Sequence, residues 1–468
     1  MRFYNVTWRA EGRPLAIDLV GAPSGERGSR VGELAQAIKA FGAGARTELG
    51  VAPAEGAVLS RLTDYLWSDQ RFNAPRLTRH LSQLRAGGAP HAFTLRVGLP
   101  AEGGDLVGRE GALSEAGRRL QARESLHLMA PRRYGKTSFL RRLAADLRSA
   151  GRRVVMLDAE NLDSVSAFAV ALAAQALADG ASGLRSVPEL AGWPLLDASA
   201  AVRVDAKATL LRSVERSPGA FLDGLLSSLA ADGALLFIDE FSRFLLTCAA
   251  RRSELQQGMA AFQRARRDAG LTSIVAGSSG LRSFIASQGM NEEFADLGAL
   301  TLDPLTPEVG AVLVEELCYG HSRAPSAGVV AEVLERIGAP VPYFLQALVH
   351  HTLAEGHAAL DGAAVGRAYR RRLLDVEGNE FFRPFRLKER GYRPEWLAPA
   401  AKVLARLARA EAPVSAAELR ALVPSDFHAL LAALAEDYDI VENEAGLALR
   451  SKVLRERWAL RESWLTGG

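Results

Sequence analysis

The residues that could do chemistry lie in the run Ala130-Pro131-Arg132-Arg133-Tyr134-Gly135-Lys136-Thr137-Ser138. Gly135 lets the main chain come close to anionic oxygens, Lys136 brings a positive charge to the terminal phosphates of a nucleotide, and the Thr137 hydroxyl can ligate Mg²⁺. Arg133, Tyr134 and Ser138 complete the expected cradle, a P-loop whose backbone N–H groups and helix N-terminus face the phosphates. Ala130 stands where the usual pattern has its first glycine. Phosphate chemistry also needs acids. The run Ala234-Leu235-Leu236-Phe237-Ile238-Asp239-Glu240 is apolar, too short for a helix, and ends in two carboxylates. Asp239 is expected in the Mg²⁺ shell and Glu240 as the base that polarises the attacking water. A core strand ending in a solvated acidic turn would give the same string; the P-loop upstream favours the site.

Such groups act only if strands deliver them to one edge. Apolar runs at Leu126 to Met129, Val154 to Leu157, Leu235 to Ile238 and Ser273 to Ala276 alternate with helical patterns between Asp105 and Leu305. That alternation predicts an α/β unit, residues 105–305, with a parallel sheet covered by helices on both faces. Ahead of it, residues 1–100 read as a small α+β module: strands Phe3 to Trp8 and Leu15 to Val20 around a turn at Glu11-Gly12-Arg13, three short helical patterns, and a strand Phe93 to Val97. Ala101-Glu102-Gly103-Gly104 reads as a linker. Behind it, Thr306-Pro307-Glu308 is a helix start, and an all-helical lid is expected over 306–375, with a helix beginning near Pro342. An aromatic and basic connector, 376–395, leads into the last unit, 396–468.

With 468 residues, 48% of them hydrophobic, the chain is long enough for several packed cores. Cys248 and Cys318 show neither metal nor redox spacing, which fits a reducing compartment. The start Met1-Arg2-Phe3-Tyr4-Asn5 has no apolar signal core and no stretch is long enough to span a bilayer, so a cytoplasmic location without a membrane partner is expected. A net charge of +3 does not by itself point to nucleic acid.

The last unit has helical patterns at Ala400 to Ala408, Ser415 to Leu422 and Asp426 to Leu434, then Ile440-Val441, a turn at Asn443 to Gly446, and Leu447 to Leu449. Three helices and a hairpin predict a winged helix, which would bind DNA with its third helix in the major groove. Yet Ser425 to Asp437 has no lysine or arginine and three acids, and phosphate contact needs cations. Arg450, Lys452, Arg455 and Arg457 beyond the hairpin could still touch a backbone. Protein contact or packing on the ATPase is at least as well supported.

The ordered set Val107-Gly108-Arg109-Glu110, the P-loop with its paired arginines, the Asp239-Glu240 strand, Gly277-Ser278-Ser279-Gly280-Leu281 and Ala339 to Gln346 resembles the archaeal-type ATPases of the AAA+ and STAND assemblage, relatives of the origin-recognition ATPases. The likeness spans about Leu106 to Trp464 and implies ATP and Mg²⁺ as ligands. It further implies that Val107 and Gly108 border the adenine, that Ser278 senses the γ-phosphate, and that Pro342 lies in the lid segment closing on the nucleotide.

Such ATPases often need an arginine from a neighbouring subunit, so Arg282, Arg264, Arg266 and Arg267 are candidates and a nucleotide-dependent homo-oligomer is expected. A solvated helix face accounts as well for any one of them. His127, His350 and His351 are isolated from other metal-ligand types and read as packing or surface residues. Asp158 and Glu160 could position water or simply occupy a loop. Phe382, Phe385, Tyr392 and Trp396 among the connector's basic residues could stack on a nucleic-acid strand or form an interdomain strap. Three functions compete: an ATP-driven switch acting on a protein partner through residues 1–100 or the winged helix, a DNA-binding ATPase, and a nucleotide-bound scaffold. Glu240 weighs against the scaffold and the acidic third helix against DNA, so the switch is favoured.

Overall fold

The computed structural model describes the segments 5–10, 13–18, 67–68 and 71–72, then 95–460 apart from 102–104, 182–183, 185–186, 188–189, 191–207, 278–280, 322–324, 326, 356–359, 375–381, 383–384, 386, 388–393, 424 and 439. Two compact units emerge. One comprises Met1–Val97, Thr306–Pro340 and Phe344–Gly378; the other comprises Gly98–Leu305, Val341–Tyr343 and Asn379–Gly468.

In the first unit, β1 (Asn5–Ala10) pairs antiparallel with β2 (Arg13–Asp18), so both strands begin two residues from the expected positions, in opposite directions. A two-residue ladder, β3 (Trp67–Ser68) with β4 (Arg71–Phe72), was not foreseen. The strand expected over Phe93 to Val97 is not formed at Leu95 to Val97, and the Arg96 N–H donates instead to Gln346 Oε1 at 3.2 Å. The helical patterns expected between β2 and Phe93 lie outside the described residues.

The second unit holds the sheet. In chain order its core runs α1 (Glu110–Gln121), β5 (Leu126–Met129), α2 (Lys136–Ser149), β6 (Val154–Asp158), α3 (Val165–Ala178), α4 (Pro218–Ala231), β7 (Leu235–Asp239), α5 (Phe241–Cys248), α6 (Arg252–Arg267), β8 (Thr272–Gly277), α7 (Leu281–Gln288) and β9 (Gly298–Thr301). The five strands lie in the order β6-β7-β8-β5-β9, every neighbouring pair parallel. Burial explains the apolar runs: all of β7 and β8 is buried, as a strand covered on both faces must be. Phe168 and Phe244 stack at 4.8 Å between α3 and α5, within one cluster that also takes Phe221, Phe241 and Phe262. Each such side chain contributes about 1.5–3 kcal/mol by leaving water. The sequence reading anticipated four strands. The fifth, β9, closes the edge beside the P-loop strand.

Helices α8 (Pro307–Gly320), α9 (Ala327–Ile337), α10 (Pro342–Ala354) and α11 (Gly362–Ala368) follow. The Thr306 hydroxyl accepts the Val309 N–H at 3.3 Å, the cap that Thr306-Pro307-Glu308 predicted. Last come α12 (Pro394–Arg409), α13 (Ala416–Arg420), α14 (Phe427–Tyr438), the hairpin β10 (Ile440–Asn443) with β11 (Gly446–Leu449), and α15 (Lys452–Leu460). Ser415 caps α13 by accepting the Glu418 N–H. Helix α15 was not anticipated, and it carries a correction: Arg457, read as available to a nucleic-acid backbone, is fully buried with its guanidinium over the Phe382 ring at 5.0 Å. Phe382 and Phe385 are buried too, Phe385 against Tyr343 and Tyr438, so these two connector aromatics form a strap and offer no stacking surface. Among the described residues no helix is long and apolar enough to cross a membrane.

Candidate nucleotide-binding site

The register brings the carboxyl ends of the strands to one edge. Met129 pairs with Gly277 and with Thr301, and Asp158 with Asp239. Helix α2 begins at Lys136, directly after a loop that turns on two residues of positive φ, Arg133 at 68° and Gly135 at 92°. Glycine adopts that conformation freely, whereas at Arg133 it is strain held by the surroundings. Ala130, in the place of the usual glycine, has no positive φ, so a Cβ there costs nothing in backbone strain. The Lys136 ammonium is buried and donates to the carbonyls of Ala130 at 2.7 Å and Pro131 at 3.3 Å, which pins the charge inside the loop.

From β7 comes the second half. Asp239 is buried, its Oδ2 accepts the Thr137 hydroxyl at 2.6 Å and its Oδ1 the Glu240 N–H at 3.0 Å. Burial pushes its carboxyl above the ordinary range, while the hydrogen bond from Thr137 works the other way. Glu240 has φ of 51°, a left-handed turn that lets the strand stop and α5 begin with Glu240 as its N-cap. Gly277 at the end of β8 faces the same turn, where a Cβ would sit 3.1 Å from Ser242 Cβ. The acid loop is therefore packed close against the central strand.

A strap closes on the P-loop. Arg133 Nη1 donates to the Gly98 carbonyl at 3.0 Å, and the Ala101 N–H donates to the Ser138 hydroxyl at 2.9 Å. The Ser138 hydroxyl oxygen thus accepts from the strap. The Arg133 guanidinium lies over the Tyr343 ring at 4.8 Å, and burial above all lowers its pKa. Tyr343 is in turn pushed up to about 12 by burial. Pro342, the preceding residue, is the first of α10, half-buried beside this stack. Val107 is buried and Gly108 has φ of 67°, placing Arg109 at the N-cap of α1. Sequence reasoning gave Arg109 no role of its own. Its buried guanidinium donates to the carbonyls of Asp303 at 2.7 Å and Tyr134 at 3.1 Å, tying the P-loop to the segment after β9. Only the motif Val107 to Glu110 hinted at it.

Two unaided oxygen donors, Thr137 and Asp239, suit Mg²⁺, which keeps most of its shell as water and phosphate. Among the described residues no group of three or more His, Cys, Asp or Glu could hold a metal by itself. The Nε of Arg133 is buried without a hydrogen-bond partner. Ser278 lies outside the described residues. The four arginines singled out as fingers fare differently. Arg266 is buried and paired with Asp296 at 2.8 Å, which removes it as a donor to any neighbour. Arg264 pairs with Asp223 at 2.8 Å and Arg267 reaches the Glu292 carbonyl, while the Arg282 side chain lies outside the description. Asp158 spends a carboxylate oxygen on the Glu160 N–H, and Glu160 pairs with Arg243 at 3.4 Å. His127 is buried in β5, and His350 and His351 meet edge to face at 5.2 Å.

The chain is similar to the Walker-type ATPase of Pyrococcus abyssi, with a TM-score of 0.54 and 17% identity over 78% of this chain and 99% of that one. It is also similar to the ORC2 protein of Aeropyrum pernix (TM-score 0.47, 12% identity, 78% and 95% covered). A third is the RuvB Holliday junction branch migration motor of Thermotoga maritima (TM-score 0.37, 13% identity, 73% and 92% covered). No protein-family model and no curated protein matches the sequence. Together with the five-stranded parallel sheet, the first likeness shows a P-loop α/β fold.

Proposed function

We propose that this chain binds ATP with Mg²⁺ and hydrolyses it, as a switch of the AAA+ and STAND kind that passes its nucleotide state to a protein partner. The single observation that carries the reading is the Thr137 to Asp239 hydrogen bond, which joins the loop that would hold phosphates to the strand that would hold the metal. When bound, Mg²⁺ supplies positive charge to the β and γ oxygens. Lys136 and the N–H groups at the start of α2 bind the phosphates, Thr137 and Asp239 hold the metal shell, and Glu240 orients the attacking water and takes its proton. Ser278, Val107, Gly108 and Pro342 keep the roles that the resemblance implies.

The C-terminal helices and hairpin, read as a winged helix, act on protein here. Helix α14 has no cation and packs against α7 of the core, so the helix expected to read bases is engaged within its own chain.

Phosphate release from Mg·ATP tests the proposal. Glu240→Gln is expected to keep nucleotide binding and to lose turnover, because the amide preserves shape without the base. Unchanged turnover would make Glu240 a structural acid.

A further inference from the structure

The phosphate loop owes its shape to a residue held against its own backbone preference. Arg133 has φ of 68° and Gly135 φ of 92°, while Tyr134 between them has no positive φ. That alternation of hand is the turn in which successive backbone N–H groups converge on one anion. Gly135 adopts it freely. Arg133 does not, because its Cβ is crowded by the main chain in the left-handed region, so contacts outside the backbone must hold it there. Two such contacts exist. The Arg133 guanidinium lies 4.8 Å over the Tyr343 ring, and Nη1 donates to the Gly98 carbonyl at 3.0 Å. Both anchors are themselves fixed: Tyr343 is buried with its ring 6.5 Å from that of Phe385, and the strap carrying Gly98 is fastened again where the Ala101 N–H donates to the Ser138 hydroxyl at 2.9 Å. The next residue of the loop is held as well, its Tyr134 carbonyl accepting from Arg109 Nη2 at 3.1 Å.

We propose that Arg133 is a positioning residue for the ATPase reaction: anchored on Tyr343 and Gly98, its side chain holds the phosphate loop in the turn that receives the nucleotide's phosphates, without touching them itself. This rests on the ATPase reading above and deepens it. Lys136 and the N–H groups at the start of α2 meet the phosphates in the ground state and in the transition state alike. Loss of the turn therefore weakens every nucleotide by a similar factor and raises KM more than it lowers kcat. A side chain in direct contact with the γ-phosphate would instead weaken ATP and spare ADP.

The test is calorimetry of the full chain with ADP and with a slowly hydrolysed ATP analogue, both with Mg²⁺, alongside phosphate release against ATP concentration. It compares wild type with Arg133→Gly, Tyr343→Leu, Tyr343→Phe and the double variant Arg133→Gly with Tyr343→Leu. Arg133→Gly permits the turn without strain but removes the anchor, so it should melt close to wild type. It should nonetheless bind ADP and the analogue about tenfold more weakly, the loss expected for a desolvated cation–π contact, with KM raised by a similar factor. Tyr343→Leu should weaken both nucleotides with Arg133 still in place, and Tyr343→Phe, which keeps the ring face, should recover most of that loss. The double variant should bind no more weakly than Arg133→Gly, because the two residues act through one contact. Arg133→Gly decides the point even where Tyr343→Leu, buried beside Phe385, does not fold. Wild-type affinity in Arg133→Gly, a loss confined to the ATP analogue, or losses that add in the double variant would overturn the assignment while leaving the ATPase reading intact. Wild type binding neither nucleotide would overturn both.

Discussion

The Thr137 hydroxyl donates to Asp239 Oδ2 at 2.6 Å across 102 residues of sequence. The two ride on different elements, Thr137 on the first turn of α2 and Asp239 at the end of β7, and β8 lies between their strands. A contact of this length, made by a buried carboxylate, sets the spacing between phosphate loop and acid loop. It also leaves Asp239 costly, because burial disfavours its charge.

That cost gives the first prediction. The folded protein raises the Asp239 pKa above the unfolded value, so the folded state holds the proton more tightly and stability rises as pH falls through the raised pKa. Above that raised pKa the ionised carboxylate is a burden, and Asp239→Asn should therefore raise the melting temperature of the nucleotide-free protein there. The same variant should weaken Mg²⁺-dependent nucleotide binding by at least the roughly ten- to hundredfold typical of losing even an outer-shell partner. Thermal unfolding with and without Mg²⁺ and nucleotide checks both signs.

Arg109 should act as a positioning residue. Replacing it by alanine strands the carbonyls of Tyr134 and Asp303 and removes two charge-assisted hydrogen bonds, each worth about 1.5–3 kcal/mol. The expected outcome is a lower unfolding midpoint in urea together with weaker nucleotide affinity. Arg109→Lys should recover little of either, since one ammonium cannot span both carbonyls. Full affinity in a destabilised Arg109→Ala would limit the residue to the fold.

Protonation of His351 should loosen α10, the helix that contains it. Burial first, then His350 and Arg372, lowers its pKa from 6.5 to about 4, with Glu355 opposing. A base depressed on folding contributes stability that is complete above the unfolded pKa and is lost as pH falls from about 6.5 toward about 4. Hydrogen exchange across Pro342–Ala354 should accelerate over that window, and His351→Asn should flatten the difference.

Much of this was legible in the sequence because buried parallel strands read as unbroken apolar runs. Leu126 to Met129, Val154 to Leu157 and Leu235 to Ile238 were placed correctly, each acid strand running one residue further to its carboxylate. Strand β9 escaped because Gly298-Ala299-Leu300-Thr301 is an edge strand with one buried residue and no apolar run to announce it. Helix α15 escaped because Arg450, Lys452, Arg455 and Arg457 were read as cations available to a nucleic-acid backbone, whereas Arg457 is covered by the Phe382 ring from a segment distant in sequence. The placement of Arg133 depends on Gly98 and Tyr343, partners that spacing alone cannot supply.

The central claim, that the loop ending in Lys136 holds the phosphates of ATP, is tested most directly by calorimetry of a slowly hydrolysed ATP analogue with Mg²⁺, comparing wild type with Lys136→Ala. Removing the ammonium leaves only backbone dipoles to meet the terminal phosphates, and the account predicts saturable one-to-one binding by wild type with no measurable heat from the variant. Equal affinity in the two proteins, at equal melting temperature, would contradict it.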